Sequence, residues 1–423
     1  MRILVTGATG FVGRHIVQAL VADKHDLVLT SRAAHNEKQG CTWRVIDFAT
    51  ALDPEDWEEV LKNVELVINA VGIFKPTRTQ SFAALHDEAP RALFEACKRA
   101  GVRRVIQISA LGADEKAGSE YHLSKRRADD ALAGSGLEWV VLRPSLIIGG
   151  EGESWRFFKA LACLPVTPVI GDGAQPLQPV AICDVVKAVR ASIHKAQAAG
   201  RRIDIVGADN LTQESYLQAL ASWLGRKNFR AVKLSYRLAG AFAAGGWLFA
   251  DMPLNRQAVS MLKEARPGDL EACRSGLGFS PEGLGNFLSQ NPASKQDKSA
   301  ASLYFLGPAL RLSLAFLWVM AGVVTLFFYP HMQSLALLAR LGFAGIMGEI
   351  ALYGAAMLDI LIGLSLLMRF YLKPMAVLQI CLIVIYTLAL SWVAPSMWFD
   401  PFGPLAKNIP IIVAILIMSK LEE

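Results

Sequence analysis

The chain has 423 residues, 53% of them hydrophobic and 19% charged, with a formal net charge of +6. That length exceeds one ordinary domain, and the apolar share exceeds the roughly 45–50% of soluble proteins. The small positive charge forms no long basic run and gives no case for nucleic acid, while 6 cysteines without a C-x-x-C pair argue against a disulfide framework or a metal site.

The N-terminal MRILVTGATG reads as a buried strand entering a glycine turn, without the basic flank, long apolar stretch and cleavage site of a signal peptide. From there short β-branched runs alternate with helical patterns, the signature of βα units and a parallel sheet. Strands are expected at 2–6, 26–30, 43–47, 65–70, 104–108, 138–142 and about 203–206, and helices near 11–22, 54–62, 82–100 and 119–134. Pro90 interrupts the 82–100 pattern and predicts a kink or break, because it has no N–H to give. Glycines and prolines loosen residues 144–190, and 211–290 read as a small helical cap with apolar stretches at 213–224 and 236–250. The 236–250 stretch is short for a span and reads as a core or membrane-surface helix. The expected domains are 1–292 (cap mainly 144–180 and 207–290), a small, polar linker at 293–304, and a membrane domain at 305–423.

Four apolar stretches follow the linker, at about 308–329, 346–368, 374–393 and 405–419. The first three approach the ~20 residues of a spanning helix, and the last is short enough to sit tilted or shallow. With the linker in the cytoplasm, Lys295, Lys298, Arg311, Arg369, Lys373 and Lys420 lie inside and Arg340 and Lys407 outside. The positive-inside rule then predicts a multi-pass protein of the inner (cytoplasmic) membrane with its N-terminal domain in the cytoplasm. Asp359 falls near the middle of the second stretch, where function or pairing is the default explanation, and Glu349 falls nearer its edge, at the interface.

Thr6-Gly7-Ala8-Thr9-Gly10-Phe11-Val12-Gly13 follows a strand and opens a helix, the context that makes a three-glycine string a dinucleotide fingerprint. Gly7 permits the turn, Gly10 admits the pyrophosphate to the backbone amides, and Gly13 lets helix pack on strand. Thr9, Phe11, Val12 and Arg14 complete the turn and the first helical residues. Strand two ends in Ser31-Arg32, where an NAD site usually carries an acid. A guanidinium there suits a 2′-phosphate, so NADP(H) is favoured and NAD(H) is the alternative. Asp47 and Phe48 are placed to meet the adenine, and Asn69, Ala70, Val71 and Gly72 to pass along the ribose.

Tyr121 and Lys125 stand four apart in YHLSK, between expected strands five and six, so both lie on one helix face. There the ammonium can hold the nicotinamide ribose and lower the phenol pKa, and Tyr121 can exchange a proton with a carbonyl or carbinol. Ser109 is the candidate hydroxyl for the developing oxyanion.

TGATGFVG, ISALGAD, YHLSK, LRPSLIIG and QPVAICDVVKAV occur in order over residues 1–290. In this the chain resembles the extended and atypical short-chain dehydrogenase/reductase superfamily, particularly the branch that includes the nucleotide-binding accessory subunit of respiratory complex I. Residues 303–423 are similar to DoxX-like membrane domains. The resemblance implies a Rossmann-type doubly wound α/β sheet with a small helical cap, followed by an all-α four-helix transmembrane bundle. It adds Pro144 to the cofactor-binding set. It implies an NAD(P)-dependent oxidoreductase or epimerase/dehydratase, and tethering to the membrane suggests a lipid-like or quinone-like substrate at the cytoplasmic face of the bilayer. The alternative is a non-catalytic NADP(H)-binding module that stabilises or senses a membrane redox complex.

Overall fold

The computed structural model describes residues 1–36, 40–244 and 255–422, which fall into two compact units dividing at Ala301 and Ser302. In the first unit seven parallel strands form one sheet: β1 (Arg2–Thr6), β2 (Asp26–Ser31), β3 (Cys41–Val45), β4 (Leu66–Asn69), β5 (Arg104–Ile108), β6 (Glu138–Pro144) and β7 (Arg201–Ile205). Their spatial order is β7-β6-β5-β4-β1-β2-β3, so the direction of winding reverses between β1 and β4. Period-2 alternation serves both faces. Ile3, Val5, Leu27, Leu29 and Ile68 pack under α1 (Phe11–Ala22) and the helix Ile182–His194. Leu4, Val28, Val67 and Val105 pack on the other face under α2 (Ala89–Arg99) and α3 (Glu120–Ala133).

The expected break at Pro90 takes a specific form. A π-helical turn at Ala84–Glu88 precedes α2, with the Ala89 amide donating to the Ala84 carbonyl. Pro90 then occupies the first turn of α2, where a missing donor costs nothing. Of the segment 54–62, only Pro54–Trp57 forms a helical turn, anchored by the buried Trp57 ring against Phe48.

The cap core joins helices Glu153–Cys163, Gln213–Trp223 and Leu284–Gln290. Of the apolar stretch 236–250, Tyr236–Ala244 is helical and the remainder lies outside the described residues. The small, polar segment read as a linker contains a helix, Lys295–Leu303. Ser294 Oγ accepts from the Asp297 amide at 3.0 Å, and Asp297 accepts from the Ser294 amide at 3.1 Å. This reciprocal cap starts the helix, Ala301 buries its far end in the cap core, and Asp297 pairs with Lys159 at 2.7 Å.

In the second unit, among the described residues, three helices are long and apolar enough to cross a membrane, ending respectively at Phe328, Leu367 and Val393. The apolar part of the first is Leu306–Val323 with a π turn at Val324–Phe328; the others are Ile346–Leu367 and Leu372–Val393. The fourth apolar stretch forms Asn408–Leu421, whose 14 residues reach about 21 Å at 1.5 Å per residue. An additional helix, His331–Arg340, lies between the first two. The first and second helices meet through small residues: a Cβ on Gly322 would stand 2.4 Å from the Ala356 carbonyl, and one on Gly363 2.8 Å from that of Ala315. The third joins through Trp318 Nε1, which donates to Gln379 Oε1 at 2.8 Å. At one end the buried Arg311 donates to the Leu366 carbonyl at 2.8 Å, and both Arg311 and Arg369 pair with Glu422. Asp359 is buried on the packed face of the second helix.

Candidate active site

The glycine turn lies at the carboxyl end of β1, on the side where the sheet reverses, which is where ligands of open α/β sheets bind. Gly7 has φ +66°, and a Cβ there would stand 2.8 Å from the Ala70 carbonyl group. A Cβ on Gly13 would stand 2.0 Å from the Gly7 carbonyl oxygen. Helix, turn and β4 therefore touch at backbone distance. Gly10 caps α1 with no side-chain cap bond, leaving first-turn amides for an anion. This cradle, closed by any Cβ at Gly7 or Gly13, fits a dinucleotide pyrophosphate. Thr9 is exposed and Phe11 and Val12 half-buried around it. Arg14 extends to Glu151 at 2.9 Å.

The other residues expected at the cofactor divide by what holds them. Ser31 is buried and its hydroxyl donates to the Ala33 carbonyl, whereas Arg32 is exposed just past β2. The Asp47 carboxylate accepts from the Ala49 amide at 2.9 Å, and Phe48 is buried edge-on against Trp57. Asn69 accepts from Thr6 Oγ1 at 2.6 Å and donates to Gln107 Oε1 at 2.8 Å, tying together the carboxyl ends of β1, β4 and β5. Pro144 is buried at the end of β6, its carbonyl accepting from the Leu111 amide at 2.9 Å.

Ser119 caps α3 by accepting from the His122 amide, and the helix places Tyr121, Lys125 and Asp129 at intervals of one turn on one face. Lys125 Nζ donates to the carbonyls of Val71 at 3.0 Å and Ile108 at 3.1 Å, bridging the ends of β4 and β5. An ammonium has three donors, so one remains for a ligand. Burial pushes the Lys125 ammonium below its ordinary range, and the nearby Asp129 carboxylate opposes that shift. Rings of Phe74, Phe82, His86 and His122 wall Tyr121 at centroid distances of 5.6, 6.1, 5.5 and 5.3 Å. Burial, with the Asp129 charge adding to it, pushes the phenol up to about 12, so it keeps its proton at neutral pH. The Ser109 hydroxyl donates to Asp129, which stands two turns further along α3 than Tyr121.

Two buried residues at the site escaped the sequence reading. One is Asp129. The other is His86, from the π turn, whose Nε2 accepts from the Ile73 amide at 2.9 Å and whose Nδ1 lies 3.0 Å from Ser124 Oγ. Because Ser124 Oγ donates to the Tyr121 carbonyl, Nδ1 must carry the imidazole proton and Nε2 must not. The ring thus clamps the loop after β4 to the Tyr–Lys helix. Burial, with the Lys125 charge adding to it, pushes His86 down to about 2. The unfolded chain therefore binds a proton below pH 6.5 that the folded chain refuses, so His86 withdraws stability as pH falls from 6.5 toward 2. Melting curves between pH 8 and about 5 should show a smaller acid loss in His86→Gln than in the parent chain; an equal loss would contradict the buried neutral ring.

Residues 7–160 match the NAD(P)H-binding family and residues 315–416 the DoxX-like family. The chain thus joins an NAD(P)-binding Rossmann domain of the short-chain dehydrogenase and epimerase type to a C-terminal DoxX-like domain. It is 30% identical, over 57% of its own length and 62% of the relative's, to NADH dehydrogenase [ubiquinone] 1 alpha subcomplex subunit 9 of Arabidopsis thaliana. It is 32% identical to a ceramide reductase of Caulobacter vibrioides over 40% of this chain and 53% of that one. The chain thus spans between about half and three fifths of these two relatives. Among solved structures, a nucleoside-diphosphate-sugar epimerase of Staphylococcus aureus superposes with TM-score 0.55 at 17% identity, covering 68% of this chain and 99% of that one. An NADPH-dependent quinone oxidoreductase of Escherichia coli gives 0.54 at 21% identity, covering 68% and 99%. Both likenesses concern the fold.

Proposed function

We propose that this protein is a membrane-anchored, NADPH-linked reductase of a long-chain carbonyl lipid, working at the cytoplasmic face of the inner membrane. The observation that carries the reading is Tyr121, walled by aromatic rings, one turn from a Lys125 that grips the loop after β4. The dinucleotide, when bound, supplies the hydride. Tyr121 holds its proton at neutral pH and donates it to the substrate oxygen. The third N–H of Lys125 orients the ribose and places positive charge beside the phenol. Phe74 and Phe82 exclude water and offer an apolar wall to a substrate without sugar hydroxyls. Glycine-turn amides hold the pyrophosphate. The similarity to a ceramide reductase supports a lipid substrate, and the three long apolar helices support delivery from the bilayer.

The test is NADPH oxidation by the purified, detergent-solubilised chain, offered long-chain keto-lipids, short quinones and nucleotide sugars in turn. Turnover with the keto-lipid class alone is expected. Tight NADPH binding without turnover on any class would leave the second reading, a structural dinucleotide module in a membrane redox complex. The similarity to an accessory subunit of an NADH dehydrogenase supports that reading.

Cofactor choice rests on Arg32, exposed just past β2 where no acid stands. NADPH should bind more tightly than NADH, and Arg32→Ala should remove most of the difference, on the order of 10-fold for one lost charged contact. Calorimetric titration that finds equal affinities in the parent chain would remove the case for NADP(H).

A further inference from the structure

Asp129 is the one ionisable residue of the Tyr121–Lys125–Asp129 face that the proposed reaction leaves without a task. It is 1% exposed, its Oδ2 accepts the Ser109 hydroxyl, and its Oδ1 has no hydrogen-bond partner among the described residues. A buried carboxylate with one unmet oxygen is destabilising on its own account, so its presence needs a compensating interaction. Lys125 is the group one turn away, and its ammonium is also buried, meeting carbonyl oxygens of Val71 and Ile108 but, among the described residues, no carboxylate directly. Each charge is expensive alone and less so beside the other.

The surrounding charges are accounted for. His86, from the π turn, is neutral. Burial pushes the Asp129 carboxyl up to about 7, and the Ser109 hydroxyl, Lys125, Arg202 on β7 and Arg143 on β6 act against that shift, while Arg143 also pairs with Asp204 at 2.7 Å and Arg202 with Asp130. Tyr121 and His122 lie on α3 itself. Above about pH 7, Asp129 is thus the anion that these cations and Lys125 share. The serine has one proton to give, and while it goes to Asp129 it does not reach a substrate oxygen.

We propose that Asp129 is a positioning residue of the reductase site: its negative charge keeps Lys125 an ammonium, and its carboxylate holds the Ser109 hydroxyl away from the reacting oxygen. This rests on the role given above to Lys125. The oxyanion is then met by Tyr121 alone, and Ser109 acts by fixing Asp129.

NADPH affinity against pH reads the charge on Lys125 without needing the substrate. The detergent-solubilised full chain is titrated with NADPH by fluorescence from pH 6 to 10. Affinity should fall along an alkaline limb as Lys125 loses its proton. Asp129→Asn should move that limb at least about one pH unit lower, weakening binding about tenfold at a pH on the limb and little at pH 6. Asp129→Glu, which retains the charge, should restore the limb. A merely structural Asp129 would lower the melting temperature and leave the limb in place, and that result overturns the proposal. Asp129→Ser is the second neutral variant, small enough to be accommodated should Asn prevent folding. Lys125→Met should abolish the limb. A limb that survives in Lys125→Met belongs to another group and overturns the ribose role of Lys125, a failure distinct from an unmoved limb in Asp129→Asn.

Discussion

Tyr121→Phe should lower turnover by about 10²–10⁴-fold and leave NADPH affinity nearly unchanged. The substitution keeps the ring among Phe74, Phe82, His86 and His122 and removes the one group there placed to donate a proton to a carbonyl. The packing survives because none of the four ring contacts uses the hydroxyl. The phenol, pushed up to about 12, is an acid with its proton in place across the physiological range, which suits the reducing direction. Lys125→Met should damage both turnover and binding, since the same ammonium bridges Val71 and Ile108 and, in the proposed reaction, orients the ribose. Complementation in the source organism can serve as the readout before a substrate is in hand. Full rescue by Tyr121→Phe, alongside failure of a chain with Gly7 and Gly10 replaced, would leave dinucleotide binding as the function.

How much of this could be read from the residues follows from how local each signal is. The strand at 2–6 and the helices at 11–22 and 119–134 announce themselves through periodicity and a terminating glycine or serine, and the structure has them at Arg2–Thr6, Phe11–Ala22 and Glu120–Ala133. The parallel sheet followed from the alternation of such elements. Asp129 did not, because it sits in a charged run, RRADD, beside Asp130. Only the fold separates the two: Asp129 faces β5 and is buried, and Asp130 faces Arg126 and Arg202 at the surface. A Lys-x-x-x-Asp spacing on the Tyr–Lys face was the available clue. His86 had no signal at all, since a single histidine in an apolar helical pattern is compatible with many environments. The helix at Lys295–Leu303 was missed for a different reason. Its composition is that of a linker, and its start is marked by Ser294 and Asp297, a capping pair that outweighs composition once Ala301 has a core to enter.

Gly13→Ala should abolish dinucleotide binding and lower the melting temperature, whereas Gly10→Ala should weaken binding in a chain that remains folded. The Gly13 Cβ would stand 2.0 Å from the Gly7 carbonyl oxygen and 3.1 Å from the Ala8 Cα, so α1 must lift from the turn. The turn cannot retreat, because Gly7 is already so close to the Ala70 backbone that a Cβ there would stand 2.8 Å from it. Overpacking of this kind costs about 1–3 kcal/mol when flexible side chains can yield; here backbone meets backbone and the upper end applies. Lifting α1 also swings its unpaired amides off the pyrophosphate, so stability and binding fail together. At Gly10 the added Cβ meets the Gly7 oxygen at 3.2 Å, a contact that a small shift can relieve. The loss there falls on the approach of phosphate to backbone and should appear as a weaker NADPH affinity with little change in melting temperature. Binding by Gly13→Ala at the parent affinity would mean that the turn from Thr6 to Gly13 does not hold the dinucleotide.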